Sequence, residues 1–427
     1  MPSSSRKTLE QIDELLDKSK LTSLYNKLKP ILPEEKSLPE EVPGLRNWSQ
    51  NAQNKRVELI KKIIGKEIPY ITGEKHFDEI EKLRGNIENF IGFTPIPTGV
   101  IGPLRINGSE AKDDFYVPMA TTEGALVASY NRGAKAASLS GGVTSMCLVE
   151  TVQRTPSFKF EYFRDTGEFL IWVMEHIEQF KDIVSTKTSH GRLDDVKAHV
   201  DGNQVTLIFE YKTGDASGQN MVTICTFAIC EYINDNCPKK PIKWLVEGNL
   251  SGDKKASAIS FMSCRGKKVT AEAIIKKEHV ANILHAQVDD IINSWNIAII
   301  NGIHSGSIGV NFHFSNCLTA IFIACGQDVA TVSESSVGTT RCEKTKDGDL
   351  YICVTMPNLI VGTVGGGTWL PAQNEGLSIL GCSGNNKARK FAEICAATAL
   401  CGELSIMSSI SAGDFARAHS LFGRKKQ

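Results

Sequence analysis

The chain has 427 residues, too many for one small core, with 41% apolar and 22% charged content, so two or three domains are expected. Its 48 basic residues balance 48 acidic ones. A neutral chain has no field to gather nucleic acid or an anionic membrane, and neither is expected as a partner, though a local basic patch could hold a phosphorylated small molecule. Twelve cysteines lie scattered in apolar stretches with no Cys-x-x-Cys pair, which reads as reduced thiols in a cytoplasmic setting, with no metal site. The polar start, MPSSSRKTLE, holds no apolar targeting segment. The longest apolar runs, such as Leu318 to Cys325, fall short of the roughly 20 residues a spanning helix needs.

In chain order, residues 7 to 29 are rich in Leu, Lys and Glu and predict a helix, followed by a Pro-Glu linker from Leu32 to Pro43. Further helices are predicted over 48–66 and 77–83, giving an N-terminal helical region over 1–87. From Glu88 to Gly142, and again from Asn249 onward, Gly and Pro punctuate stretches of small residues. Between them the pattern changes. Ser157 to Tyr162 alternates as a strand, and Gly167 to Ile183 has helical periodicity. Leu193 to Val200 and Val205 to Tyr211 form a hairpin around Asp201-Gly202. Gly218 to Tyr232 is helical and Ile242 to Val246 is a final strand. The order β-α-β-β-α-β is the ferredoxin-like arrangement, so 156–246 reads as a domain inserted into a larger one formed by 88–155 and 247–427. The fold class is α+β.

Two glycine-bearing loops stand out. Gly214 to Asn220 opens the second helix of the insert, and exposed N–H groups there could hold a pyrophosphate or simply follow an Asp cap. Gly365-Gly366-Gly367 lets a backbone approach something closely, or makes an ordinary flexible loop. No Gly-x-Gly-x-x-Gly follows a strand, which argues against a Rossmann site.

Longer segments carry more. Glu88 to Leu104 (ENFIGFTPIPTGVIGPL), Val117 to Gly133 (VPMATTEGALVASYNRG), Asp253-Lys254-Lys255, Ala324 to Asp328 (ACGQD), Met356 to Thr368 (MPNLIVGTVGGGT) and Gly402 to His419 follow one another in the order found in a known family. From about residue 45 to its C-terminus the chain resembles the catalytic region of the class I 3-hydroxy-3-methylglutaryl-coenzyme A (HMG-CoA) reductases. The resemblance implies a large domain around a buried central helix and an inserted domain that binds NADPH. It also implies a homodimer or homotetramer with active sites between subunits. The reaction implied is reduction of HMG-CoA to mevalonate in isoprenoid and sterol synthesis, in the cytoplasm, or on the cytosolic face of the endoplasmic reticulum if a membrane anchor precedes this region.

Such a reaction needs two hydride deliveries, a stabilised oxyanion and a protonated leaving thiolate. By resemblance, Lys254 stabilises the developing negative charge and Glu123 donates a proton, its pKa raised by burial. Asp328 lies between them, and His419 protonates the CoA thiolate. Ser129, Asn131 and Arg132 would contact CoA, and Arg154 a substrate carboxylate or cofactor phosphate. Lys255 would pair with the substrate carboxylate and Asp253 would orient its hydroxyl, with His313 and Asn316 lining the pocket. Asp215, Ser217, Gln219, Asn220, Gly365, Gly366 and Gly367 would contact the dinucleotide. Taken singly, each has a plainer reading: Glu123 and Asp328 as helix caps, Lys254 and His419 as solvated surface groups.

The chain departs from the family pattern at several positions. Ile297 stands where a lysine anchors the substrate carboxylate, and Glu247 where a serine contacts substrate. Ser217 and Gln219 replace methionines, Thr331 a glutamine and Glu334 a glycine. Losing a charge-assisted hydrogen bond of roughly 1.5–3 kcal/mol would weaken an anionic substrate about tenfold or more. The arginine that reads a 2′-phosphate has no direct counterpart, though Lys187, His190 or Arg192 could serve, so NADH stays open beside NADPH. The tail, ending GRKKQ, lacks the serine that serves longer members as a phosphorylation switch. Two alternatives remain: a paralogue acting on another acyl-CoA, and a non-catalytic CoA- or nucleotide-binding protein.

Overall fold

The computed structural model describes residues 18–45 and 47–413. The fold is α+β, with ten strands joined by pairing into one branched sheet. These are β1 (Thr98–Gly108), β2 (Lys112–Ala120), β3 (Val143–Arg154), β4 (Ser157–Lys159), β5 (Arg192–Asp201), β6 (Gln204–Lys212), β7 (Lys243–Leu245), β8 (Gly266–Ile275), β9 (Thr339–Lys344) and β10 (Leu350–Leu359). Strand β3 joins two halves. Its first residues run parallel to β1, most of its length pairs antiparallel with β8, and its last three residues pair with β6.

Beyond that handover, the strands of the 156–246 segment lie in the order β7-β4-β6, with β5 on the other side of β6, all antiparallel. The β5–β6 turn is the one the Asp-Gly pair predicts, with Gly202 in the left-handed region at φ 56°. The helix expected over 167–183 is two helices, Asp165–Glu175 and Ile177–Lys187, broken at His176. His176 stacks on Trp172 and its Nδ1 meets the Trp172 carbonyl at 2.7 Å, local contacts that the periodicity could not register. This segment has its own packed interior, built around Phe158, Phe169, Phe180, Phe209 and Ile229.

The other half packs around the 24-residue helix Ala388–Ser411, which is buried along nearly its whole length. By length and composition this helix passes as a membrane span, contrary to the expectation that no apolar run is long enough, but protein surrounds it. Its small residues permit backbone-close crossings. A Cβ on Gly133 would fall 1.9 Å from the Cys401 carbonyl oxygen, so the helix Leu126–Leu139 meets it without side chains between. Two acids interrupt the helix, and each is saturated with donors. Glu393 accepts the backbone N–H groups of Glu110, Ala111 and Cys147 at 2.8–3.1 Å, and Glu403 those of Phe312 and His313 at 2.8–3.1 Å. Burial raises both carboxyl pKa values while these donors oppose the rise.

In the N-terminal region, helices run over Lys18–Leu28 and Gln50–Ile64, the second capped by Ser49. The helix expected over 77–83 is only a 3₁₀ turn at Ile80–Leu83, because Phe77 leaves the chain axis to pack on Phe93 and Trp369.

Candidate functional site

Glu123 lies just before the Leu126–Leu139 helix, in a stretch turned by Ala125 at φ 67°. Its backbone N–H reaches the Thr121 hydroxyl at 3.0 Å, and its Oε2 accepts from Asn316 Nδ2 at 2.7 Å. Asn316 stands in the first turn of the Phe314–Ala324 helix, whose entry is pinned by the two backbone N–H groups on Glu403. Beside it the His313 ring stacks on Tyr130, with Nδ1 3.0 Å from the phenol oxygen. Burial lowers the His313 pKa to about 4, so its imidazole is neutral.

These groups border a cleft of about 620 Å³, which brings together six of the expected residues: Glu123, Ser129, Asn131, Arg132, His313 and Asn316. Ser129 Oγ meets Ser405 Oγ at 2.9 Å, and Arg132 is tied to Ser405 and Ser409 of the central helix. Asn131 accepts the Gly102 N–H at 2.9 Å. The cleft is floored by the crossing of two helices, which is why it is so well defined. One expectation changes. The Glu123 carboxyl is exposed in a single chain, so the burial expected for it is not supplied by its own chain.

Lys254 and Asp328 form the second group. The lysine Nζ lies 2.8 Å from Asp328 Oδ2. Asp328 Oδ1 accepts the Ala330 N–H at 3.1 Å, so the acid is at once a helix cap and the amine's partner. Lys255 donates from Nζ to the Asp253 carbonyl at 2.9 Å. Among the described residues, no hydrogen bond or ion pair joins Glu123 to Lys254 or Asp328, and neither of those two lines the Glu123 cleft, so the expected residues fall into two groups, or half-sites. His419 lies outside the described residues.

Behind Lys254 is an ionic cluster that sequence reasoning did not assemble. Arg154 Nη1 contacts Glu247 at 3.1 Å and Asp253 at 3.0 Å. Arg265, fully buried, contacts Asp253 at 2.7 Å and holds both Glu334 oxygens, at 2.6 and 2.5 Å. Three carboxylates thus face two guanidinium groups. Arg154 thus contacts two carboxylates of its own chain, and Asp253 is held between two arginines. Two departures from the family pattern, Glu247 and Glu334, are the residues that bring the extra negative charge. Only Arg265 gave no signal in the sequence, because an arginine followed by glycine before a strand is unremarkable.

The two glycine-bearing loops lie side by side. Thr363 donates its N–H to the Asp215 carbonyl at 2.8 Å, and Ala216 and Val364 form a parallel bridge. Gly365 and Gly366 adopt φ of 75° and 56°, and nothing lies within 4 Å of where their Cβ atoms would be. Ser217 and Gly367 flank this opening and Asn220 is exposed on the first turn of the Gln219–Asn236 helix. Two residues expected here have other work. The Asp215 carboxylate accepts three backbone N–H groups, of Asn386, Lys387 and Ala388, capping the central helix. The Gln219 side chain reaches Arg265 and Arg154 instead of the loop.

The family model described as hydroxymethylglutaryl-coenzyme A reductase matches residues 52–424. This chain belongs to the hydroxymethylglutaryl-coenzyme A reductase family. It is 44% identical to the 3-hydroxy-3-methylglutaryl-coenzyme A reductase of Pyrococcus abyssi over 86% of this chain and 92% of that one. It is 46% identical to the reductase of Aeropyrum pernix over 81% of this chain and 84% of that one. Among solved structures, it resembles the class II reductase of Streptococcus pneumoniae bound to NADPH in open conformations. There the TM-score is 0.70 at 16% identity, covering 87% of this chain and 100% of that one, which is agreement of fold.

Proposed function

We propose that this chain is an HMG-CoA reductase that uses NADPH to convert HMG-CoA to mevalonate and free CoA, in isoprenoid synthesis in the cytoplasm. The observation that carries the reading is the Lys254–Asp328 pair at 2.8 Å, an oriented cation on a chain of this family. The Lys254 ammonium would stabilise negative charge developing on the carbonyl oxygen, and Asp328 keeps it aimed. Glu123, oriented by Asn316, would donate the proton, and His419 would protonate the departing thiolate. Lys255, half free of its own backbone contact, is the cation left for a substrate carboxylate, since Arg154 is occupied. Ser129, Asn131 and Arg132 would meet CoA along the cleft.

When bound, the nicotinamide dinucleotide supplies the hydride. The residues present fit it: two left-handed glycines leave open the space a Cβ would fill, beside a helix start with no side-chain cap. Gly365, Gly366, Gly367, Ser217 and Asn220 would hold it, with the ferredoxin-like segment 156–246 as the nucleotide-binding domain of a three-part chain. Turnover compared with NADPH and NADH measures the cofactor preference.

The two half-sites in one chain support a homodimer, or a homotetramer, in which a second copy covers Glu123. Ile297, Ile300 and Ile303, all at least 55% exposed on the Val288–His304 helix, give such an assembly an apolar face to bury. Oxidation of NADPH by purified protein with HMG-CoA tests the whole reading; no oxidation at high enzyme concentration ends it. A second reading, altered acyl specificity, is favoured by Glu247 lying on Arg154. It expects the pair Glu247→Ser and Ile297→Lys to improve HMG-CoA turnover.

A further inference from the structure

The segment that carries Asp328 reaches Lys254 twice. Asp328 takes the amine of Lys254, and six residues later Glu334 takes its backbone N–H, through Oε1 at 3.1 Å. Lys254 needs such help. It is a non-glycine residue at φ 55°, in a loop where Asn249 and Gly252 are also left-handed, at 65° and 72°. An L side chain disfavours that region, so the conformation persists only where surroundings enforce it. Here they do. Glu334 and Arg265 are both fully buried and joined by two contacts, and Arg265 also holds Asp253, the residue before Lys254.

A buried ion pair of this kind is a poor source of stability, because desolvation offsets most of its attraction. Its geometry, however, is stiff, and it touches the reactive lysine through one hydrogen bond on the main chain. A lysine Nζ moved by about 1 Å loses its place at a reacting carbonyl.

We propose that Glu334, fixed by Arg265, is a positioning residue that holds the Lys254 backbone left-handed so that its amine stays on Asp328. The reading of Lys254 as the reactive cation comes from the proposed function; its placement against Asp328 can be measured without it.

Two double variants separate acceptor from charge. Glu334→Gln with Arg265→Met keeps an oxygen for the Lys254 N–H, whereas Glu334→Ala with Arg265→Met removes it. Both lack the Glu334–Arg265 pair, and in both Asp253 loses Arg265 but keeps Arg154, so the two differ only in the acceptor. Trace acylation with acetic anhydride, read by peptide mass spectrometry, reports the reactivity of Lys254 against Lys255 across pH. The expected result is a several-fold rise at Lys254 in the alanine variant only, with kcat down roughly tenfold or more and KM for the acyl-CoA little changed. Equal Lys254 labelling in both variants, or activity lost only in proportion to folded protein, overturns the proposal. An unaltered chain with no turnover but the expected labelling would remove the functional reading and leave this one standing.

Discussion

The two half-sites are built in opposite ways. Lys254 is locked from behind: two arginines, three carboxylates and one backbone hydrogen bond fix its loop, while its side chain reaches solvent with Asp328. Glu123 has one side-chain partner, Asn316, and stands exposed at the rim of the cleft. The difference is instructive. A preorganised cation meets developing charge without reorganising, which suits the role proposed for Lys254, whereas the acid proposed as proton donor is left open to be covered.

The sharpest way to break this comparison is Lys254→Ala. It should lower kcat about 10³-fold while leaving the thermal midpoint unchanged, because the network grips the backbone of residue 254 and not its amine. A large drop in the midpoint would mean the side chain is structural. Next, Glu123→Gln should lower kcat about 10²-fold with unaltered stability, since the exposed side chain's one bond, to Asn316, can be kept by the amide oxygen. Calorimetry and steady-state rates on the same preparation would decide it.

A smaller effect concerns the floor of the Glu123 side. The His313 pKa is lowered to about 4, so the folded protein refuses a proton that the unfolded chain takes near its ordinary value. Its contribution to stability is then present above about pH 6.5 and is lost as pH falls toward the folded value. Between about pH 7 and pH 5 the unaltered chain should lose about 2 kcal/mol more than His313→Gln does, measured by denaturant unfolding. Equal losses would show that this imidazole titrates freely. The smallest effect is expected at Glu247→Ser, which leaves Arg154 with Asp253 as its carboxylate partner. KM for HMG-CoA should fall about tenfold with kcat nearly constant, and an unchanged KM would place Arg154 away from the substrate.

Much of this arrangement was legible in the chain. The β5–β6 hairpin follows from an Asp-Gly pair between alternating strands, and the strand and helix order of 156–246 follows from local periodicity. The long matching segments pointed to Glu123, Lys254 and Asp328, and the structure gives the last two a direct contact. Less legible were the break at His176, the lost helix near Phe77 and the work of Asp215. Each depends on a contact with something distant or on a single local stacking, to which a window of periodicity is blind.

The sequence by itself determined the family and the α+β class and marked out the candidate side chains, because these reside in residue types and local spacing. Only the tertiary structure decided that Glu247 and Glu334 sit on Arg154 and Arg265, that Gln219 turns inward, and that Lys254 lies against Asp328 while Glu123 lies against Asn316. Residues 154, 219, 247, 265 and 334 meet there from segments far apart along the chain. Buried charges are tolerated only in pairs, and which charge finds which is settled by packing in three dimensions.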